Sequence, residues 1–232
     1  LVGSEMCIRD RLYIGSFFMI RGNLAQKYEK KVYFCPRNVI KCRKIMMNFQ
    51  TSVELPVGLP SISHISPILL MGSCFAENMG TFLTEAKFQL DLNPFGILYN
   101  PLSISSALKE IITKKEYTEK DLFTYRGVWH STMHHGSFSA TIPEVTLQNI
   151  NARLLQAHQT VPKLDWLMLT FGTAYVYEAK ETGKVVANCH KLPEKNFIRR
   201  RLEIDEIVED YTLLLDELIS LNPQLKLSLI HI

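Results

Sequence analysis

Two continuous apolar runs stand out along the chain and predict its buried strands. They are Ile68–Met71 and Trp166–Phe171, and neither alternates between apolar and polar positions. Such runs are typical of strands that are buried on both faces of a parallel sheet. Amphipathic runs lie between and after them, so the pattern predicts strands that alternate with helices.

Four amphipathic runs predict the helices. The first spans 77–87, and its apolar positions at helical spacing are Met79, Phe82, Leu83 and Ala86. The second has Ser103 as its cap and runs to about residue 113. The third spans 145–158, is ended by Pro162, and has four inward positions: Leu147, Ile150, Leu154 and Leu155. The fourth spans 204–221, with inward positions Ile207, Tyr211, Leu214, Leu215 and Leu218.

Shorter alternating segments predict strands outside the main sheet. Residues 121–142 predict an antiparallel hairpin that carries His130, His134 and His135 in a solvated or substrate-facing loop. A second hairpin joins 174–178 to 184–187 through a turn at Thr182 and Gly183. An edge strand is expected at 48–53, and a last strand near Leu225.

The charges are unevenly distributed along the 232 residues. The first 46 residues hold ten Lys/Arg against three Asp/Glu, a net of +7, and the other residues hold sixteen against twenty, a net of −4. The domain itself is therefore not basic, and we expect no nucleic-acid partner. No apolar stretch reaches the ~18 residues that span a bilayer, so we expect no membrane partner either.

Five cysteines without a C-x-x-C pair do not form a disulfide framework. Only Cys74 and Cys189 lie in the expected domain. A disulfide between them is an alternative, but we expect both to be reduced thiols. A reducing compartment fits this usage best, so we predict a cytoplasmic protein.

Both ends of the chain differ from the middle. Residues 1–11 and 227–232 resemble translated sequencing adapters, and residues 12–46 are rich in Lys and Arg without an amphipathic pattern. We expect a non-native or disordered leader over 1–46, a domain over 47–226 and an artefactual tail over 227–232. The alternative is a secretory signal over 1–22, although Arg21 closes the apolar run and no small-x-small cleavage site follows.

The stretch from Met71 to Gly80 is the strongest candidate for chemistry. An apolar strand runs into small residues and then into a helix, so a tight turn places Ser73 and Cys74 at the end of a strand. A helix N-terminus carries positive partial charge, which stabilises an anion and lowers the pKa of a cysteine there. The alternative roles are structural: Ser73 as a helix cap and Cys74 as a small buried residue.

Other candidate residues lie on later loops. His190 follows Asn188 and Cys189 in a polar patch and is the best candidate within the chain for a base or a substrate contact. The cluster 199–201 consists of three arginines, which either bind a carboxylate or phosphate or form a solvated helix start. The histidines of the hairpin lack further ligands at metal spacing, so we expect neither a metal nor a cofactor.

Five motifs in order resemble the GSCFA-domain family between residues 47 and 226. They are Gly72-Ser73-Cys74-Phe75-Ala76; Asn93-Pro94-Phe95-Gly96 with Asn100-Pro101; Gly172-Thr173-Ala174 with Tyr177; Asn188-Cys189-His190-Lys191; and Phe197 with Arg199 and Arg200. That bacterial family is similar to the SGNH (GDSL-like) hydrolases. The resemblance implies a flavodoxin-like three-layer α/β/α fold with a mostly parallel sheet, incomplete at the C-terminus, plus a small antiparallel hairpin insertion.

The resemblance also implies a reaction, the hydrolysis of acyl esters of carbohydrates or small molecules. A gapless overlay of Gly-Asp-Ser-Leu puts Cys74 at the nucleophile position, and a slip of one residue puts Ser73 there. Oxyanion or substrate contacts are implied at Gly96, Asn100, Gly172, Thr173 and Asn188.

Two features of the chain depart from the SGNH pattern and argue against ester hydrolysis by this chain. Ala174 stands where those enzymes carry an oxyanion-binding Asn, and the block that holds their catalytic His does not follow residue 225. We therefore expect this chain as written to be inactive. The alternatives are a Cys-dependent acyltransferase and a catalytically degenerate carbohydrate-binding domain.

Overall fold

The computed structural model describes residues 60–231, and a compact unit begins at Ile62. Its centre is a sheet of four parallel strands: β1 (Ile68–Met71), β2 (Leu90–Leu92), β5 (Trp166–Phe171) and β9 (Lys226–His231). The two continuous apolar runs thus form β1 and β5, with the predicted bounds. The α/β class and the parallel sheet predicted from the sequence are confirmed.

The strand order across this sheet is β2-β1-β5-β9. The chain leaves β1 toward β2 on one side and later returns to β5 on the other side, where Leu70 lies opposite Met168. The order therefore reverses at the β1/β5 boundary. In open parallel sheets, such a reversal leaves a crevice at the carboxyl ends of the two strands.

Helices cover both faces of the sheet. Alternate residues of β1 point to opposite sides, as strand geometry requires. On one side Ile68 and Leu70 pack in a cluster with Ala76 and Leu83 of helix α1 (Cys74–Glu85). The other side packs against three helices: α2 (Pro101–Ile112), α3 (Pro143–Thr160) and α4 (Ile204–Leu221).

Helix α1 starts three residues earlier than predicted, and part of its predicted inward face is wrong. It begins directly after Ser73, because that side chain accepts a hydrogen bond from the Phe75 N–H and caps the helix. Ala76, Gly80 and Leu83 are its buried residues, whereas the predicted core residue Phe82 is 52% exposed. The early start adds a turn whose buried residue Ala76 the apolar pattern did not include.

The predicted caps and inward faces of α2 and α3 also need correction. Asn100, and not Ser103, caps α2, since its Oδ1 accepts from the Ser103 N–H at 2.8 Å. Pro101 then occupies the first helical position, where its missing N–H costs nothing. In α3 the predicted core residue Leu155 is exposed, and Ala157 and Thr146 are buried instead. Helix α4 has its predicted bounds, and Tyr211, Leu214 and Leu218 are buried.

Two small antiparallel sheets complete the described part of the chain. One is the hairpin of β3 (Leu122–Tyr125) and β4 (Val128–Ser131). The other has the order β7-β6-β8, formed by β6 (Tyr175–Ala179), β7 (Val185–Val186) and β8 (Phe197–Arg201). Short 3₁₀ helices lie at Glu119–Asp121, Gly136–Phe138, Val161–Lys163 and Glu194–Asn196.

The last strand begins one residue after the predicted start near Leu225. Residues 227–231, which the sequence sets apart as a tail, continue β9 in register with Leu167–Phe171 of β5. The structure thus gives them a place in the sheet, and their origin stays a prediction. The leader over 1–46, the domain start at 47 and the edge strand at 48–53 lie outside the described residues.

Candidate active site

The carboxyl ends of β1 and β5 meet at the point where the strand order reverses. Gly72 follows β1 and Gly172 follows β5. A Cβ atom built on Gly172 would stand 3.3 Å from the Ser73 Cβ, so the two strand ends are in contact. The structure thus brings Ser73, Cys74, Gly172 and their neighbours together, as the parallel sheet predicts.

Ser73 is buried and its polar groups are used by the fold. Only 3% of its surface is exposed. Its Oγ accepts from the Phe75 N–H at 3.3 Å, and its N–H donates to the Thr170 Oγ1 at 3.2 Å. The structural role predicted for Ser73 as a helix cap is confirmed.

Cys74 is the first residue of α1 and is partly exposed. It forms no disulfide with Cys189, the other cysteine among the described residues, so the possible bridge between them is absent. Burial raises the pKa of Cys189. A raised pKa leaves Cys189 protonated and poorly nucleophilic at neutral pH.

A buried network based on Asn93 holds the turn after β1. The Gly72 N–H donates to the Asn93 Oδ1 at 2.9 Å, and the Asn93 Nδ2 donates to the Glu77 Oε2 at 2.7 Å. The Leu98 N–H donates to the Gly72 carbonyl at 2.9 Å. Sequence reasoning did not assign this role to Asn93, although asparagine tolerates the left-handed backbone of tight turns. Its φ is +41°.

The predicted oxyanion residues near this turn use their N–H groups within the fold. The Gly96 N–H donates to the Asn93 carbonyl at 2.8 Å, and the Gly172 and Thr173 N–H groups donate to the Tyr99 carbonyl at 2.9 and 3.1 Å. The Asn100 side chain caps α2. In this conformation these groups are engaged in hydrogen bonds within the fold, and their contact with a substrate oxygen stays a prediction.

Gly72 is the position in this turn that tolerates a side chain least. Its φ is +151°, and an added Cβ would stand 2.0 Å from the Thr170 Oγ1 and 2.6 Å from the Thr170 carbonyl oxygen. We expect Gly72→Ala to lower the free energy of unfolding by about 2–4 kcal/mol, through steric overlap and backbone strain. Urea denaturation followed by circular dichroism measures this loss.

Gly136→Ala is the matched control, because a Cβ at Gly136 would meet nothing within 4 Å. That variant is expected to keep the native unfolding free energy to within about 0.5 kcal/mol. Equal stability of the two variants would show that the close approach of Gly72 to Thr170 has no energetic weight.

His190 and Asn188 lie in a second group, on the hairpin side of the domain. The His190 Nε2–H donates to the Ser131 carbonyl at 2.7 Å, and the His190 ring stands 4.4 Å from the His130 ring. The Asn188 Oδ1 accepts from the His190 N–H at 2.8 Å. Burial lowers the pKa of His190, which favours the neutral ring. With Nε2 protonated, Nδ1 is the basic atom of that ring.

The turn after β2 lies between the two groups. On one side Asn93 binds Gly72. On the other side the Phe95 carbonyl accepts from the His135 N–H at 2.9 Å, and a Cβ on Gly96, whose φ is +79°, would stand 2.2 Å from the His135 Cβ. The turn therefore needs glycine at Gly96 and connects the strand ends to the histidine-containing loop.

His134 departs from the prediction of a solvated or substrate-facing histidine loop. It is 1% exposed, it stacks on Phe95 with ring centroids 4.3 Å apart, and its Nδ1 lies 3.0 Å from the Ser131 Oγ. Burial is the main reason why its pKa falls to about 3, and the charge of Lys115 adds to the effect. His134 is therefore a neutral core residue near pH 7.

The arginine cluster 199–201 is largely used by the protein itself. Arg200 makes a two-pronged ion pair with Glu206 at 2.7 and 2.6 Å and also binds Glu178 at 2.6 Å. The Arg199 guanidinium stacks over the Tyr175 ring at 4.0 Å. The predicted solvated helix start is wrong, because the three arginines lie in β8 and pair with β6. Binding of a carboxylate or phosphate by this cluster stays a prediction.

Residues 60–231 contain no group of three or more histidine, cysteine or acidic side chains that could hold a metal ion. Within the same residues, no helix combines the length and the apolar character needed to cross a membrane.

Comparison with known protein families identifies a match. The model of the GSCFA family matches residues 67–230, well over half of the chain. No curated protein and no solved structure shows significant similarity. The matched span contains both strand ends, the hairpin and the loop of His190.

Proposed function

The chain belongs to the GSCFA family, and on that premise we propose that it reacts with acyl esters through the Cys74 thiol as nucleophile, in place of the inactive chain expected from the sequence. The substrates would be O-acyl groups on carbohydrates or other small molecules. A reducing compartment such as the cytoplasm suits this chemistry, because the thiol must stay unoxidised.

One observation carries the assignment to Cys74 over Ser73. Cys74 is partly exposed at the first turn of α1, beside the crevice where the strand order reverses. Ser73 is buried, and its hydroxyl caps the helix. A nucleophile must reach its substrate, and of the two side chains only that of Cys74 has a surface available for this.

The proposed reaction has two covalent steps. A base takes the proton of the Cys74 thiol, and the thiolate attacks the ester carbonyl carbon. A C–S bond forms, the C–O bond to the alcohol breaks, and the base returns the proton to the leaving alcohol. Water then attacks the thioester, which releases a carboxylic acid and restores the thiol. The positive partial charge at the N-terminus of α1 would stabilise the negative oxygen that forms in both steps.

His190 remains our candidate for the base or for a substrate contact. Its lowered pKa and its Nε2–H bond to Ser131 support a neutral ring with a basic Nδ1. Gly96, Asn100, Gly172, Thr173 and Asn188 keep their proposed places around the substrate.

The strand order is compatible with the SGNH-like proposal. Counted among the parallel strands alone, it is second, first, third, fourth. A flavodoxin-like sheet begins with the same order and binds its ligand where the order reverses. This supports a ligand beside Cys74.

The first covalent step is the direct test of this function, because it needs only the nucleophile and not complete turnover. Mixing the protein with p-nitrophenyl acetate should give a burst of p-nitrophenolate that is equal to the amount of chain. Stopped-flow absorbance measures the amplitude and the rate of that burst.

Other thiols are the main source of a false signal, so the control is a chain in which Cys74 is the only cysteine. Substituting the other four cysteines, Cys7, Cys35, Cys42 and Cys189, by serine should leave the burst unchanged. Loss of the burst in this chain, although it is folded, would refute the proposed role of Cys74.

A further inference from the structure

A cavity of about 470 Å³ lies beside the β3–β4 hairpin, and none of its lining residues belongs to the turn of Cys74. This volume is in the usual range for small-molecule sites, about 300–1,000 Å³. Three segments form its walls: the hairpin, the loop after β4 and the loop after β7. The lining residues are Tyr125, Arg126, Val128, His130, His135, Gly136, Asn188, His190 and Lys191.

The charge of this lining is of one sign. None of its nine residues is acidic, whereas Arg126 and Lys191 are cationic. Within residues 60–231 neither of them forms an ion pair with a carboxylate. The Arg126 guanidinium lies 5.1 Å from the centre of the Tyr125 ring, which holds it beside the cavity.

Several other cations of the domain are paired with carboxylates. Arg200 binds Glu178 and Glu206, and Lys109 binds Asp210. The larger cleft of about 1090 Å³ contains several lysines, but Glu110, Asp121 and Glu181 line the same cleft. The lining of the smaller cavity differs from that of the larger cleft in containing cations but no acidic residue.

Two tight turns set the backbone positions of the cationic residues. Arg126 and Gly127 have φ of +51° and +76°, and His190 and Lys191 have φ of +47° and +59°. The Leu192 N–H closes the second turn on the Cys189 carbonyl at 2.9 Å. Left-handed backbone is unfavourable for residues other than glycine and collects at ligand clamps. In the described part of the chain, three of the six non-glycine residues with positive φ line this cavity.

The histidines in the lining of this cavity supply hydrogen-bond donors for a ligand rather than ligands for a metal ion. The His135 Nδ1 accepts from the Ser137 N–H at 3.2 Å, so the neutral ring carries its proton on Nε2 and is able to donate it to a ligand. The His130 Nδ1 lies 2.7 Å from the Ser139 Oγ. Fixed positive charge from Arg126 and Lys191 repels a metal ion and attracts an anion.

We propose that this cavity binds an oxyanion, a carboxylate or phosphate group of a small molecule, through Arg126, Lys191 and the Nε2–H of His135. A charge-assisted bond to a planar oxyanion suits the arginine fork and the lysine point charge. Tyr125 and Val128 contact the uncharged remainder of the ligand. The site does not depend on Cys74 acting as a nucleophile.

Titration calorimetry of the full chain with inorganic phosphate and with glucuronate tests this site. Saturable binding of at least one probe is expected. Removing one cation by Arg126→Gln or Lys191→Gln should raise the Kd about tenfold. Lys163→Gln removes one positive charge from an exposed position outside the cavity and should leave the Kd unchanged. Arg126→Lys and Lys191→Arg keep the positive charge. They should therefore bind the probe more tightly than the glutamine variants at the same positions.

The outcomes separate the sources of the oxyanion. Binding of phosphate alone supports a phosphorylated ligand, and binding of glucuronate supports a carboxylate. Absence of saturable binding of either probe would overturn the proposal, and so would equal weakening by the cavity and control variants. The acyl burst is a separate measurement, so failure of the anion site leaves the role of Cys74 unaffected.

Discussion

Cys74→Ala is expected to lower the rate of the acyl burst by at least about a thousandfold, because it removes the atom that forms the covalent bond. Stability should hardly change. The thiol is partly exposed at the first turn of α1, and alanine is a good helix former. Stopped-flow bursts and urea denaturation of the same preparation measure the two effects.

Ser73→Ala is the matched comparison, one residue away, and the opposite result is expected. It removes the cap that binds the Phe75 N–H, which should cost about 1 kcal/mol of unfolding free energy. The burst rate should stay within about tenfold of the native rate, because Cys74 is intact. A lost burst in folded Ser73→Ala together with a retained burst in Cys74→Ala would reverse the assignment.

The second large effect concerns acid stability and His134. Burial lowers the pKa of this histidine to about 3, from an ordinary value of 6.5. Below pH 6.5 the unfolded chain takes up a proton that the folded chain refuses, so the contribution of His134 to stability falls as the pH falls. Between pH 6.5 and pH 5 this difference should cost about 2 kcal/mol.

His134→Gln removes this proton uptake, so its unfolding free energy should fall less steeply over that pH interval. His64→Gln is the control, because His64 is an exposed histidine stacked on Phe88. Urea denaturation at a series of pH values gives the slopes. If native protein, His134→Gln and His64→Gln share one slope, His134 is not kept neutral by burial.

Much of the sheet was predictable, because a strand that is buried on both faces has apolar residues at nearly every position. The run Trp166–Phe171 is apolar at almost every position, and only a strand covered on both faces requires that. The placement of Ser73 and Gly172 at one edge followed from the parallel sheet alone. The bounds of α4 were also predictable, since its amphipathic run ends at Asn222 and Pro223.

Helix starts and inward faces were less predictable. Ser73 caps α1 and shifts its start to Cys74, which brings Ala76 into the core and leaves Phe82 exposed. Asn100 competes with Ser103 as the cap of α2, and both are good capping residues. Such choices depend on neighbouring elements, which a single amphipathic pattern does not contain.

The contacts that build the site cross large sequence distances and so have no local signal. Thr170 binds the Ser73 N–H across 97 positions, and Asn93 binds the Gly72 N–H across 21. The burial of His134 depends on Phe95, which lies far away in the sequence. The sequence identified the residues at the strand ends but not the side chains that hold them.

The most direct test of the central claim is to locate the acetyl group after the burst. The protein is quenched in acid at the end of the burst, digested, and analysed by tandem mass spectrometry. If Cys74 is the nucleophile, we expect a single acetyl group on the Cys74 Sγ, as a thioester that hydroxylamine removes. An acetyl group on the Ser73 Oγ, or on any residue other than Cys74, would contradict this assignment.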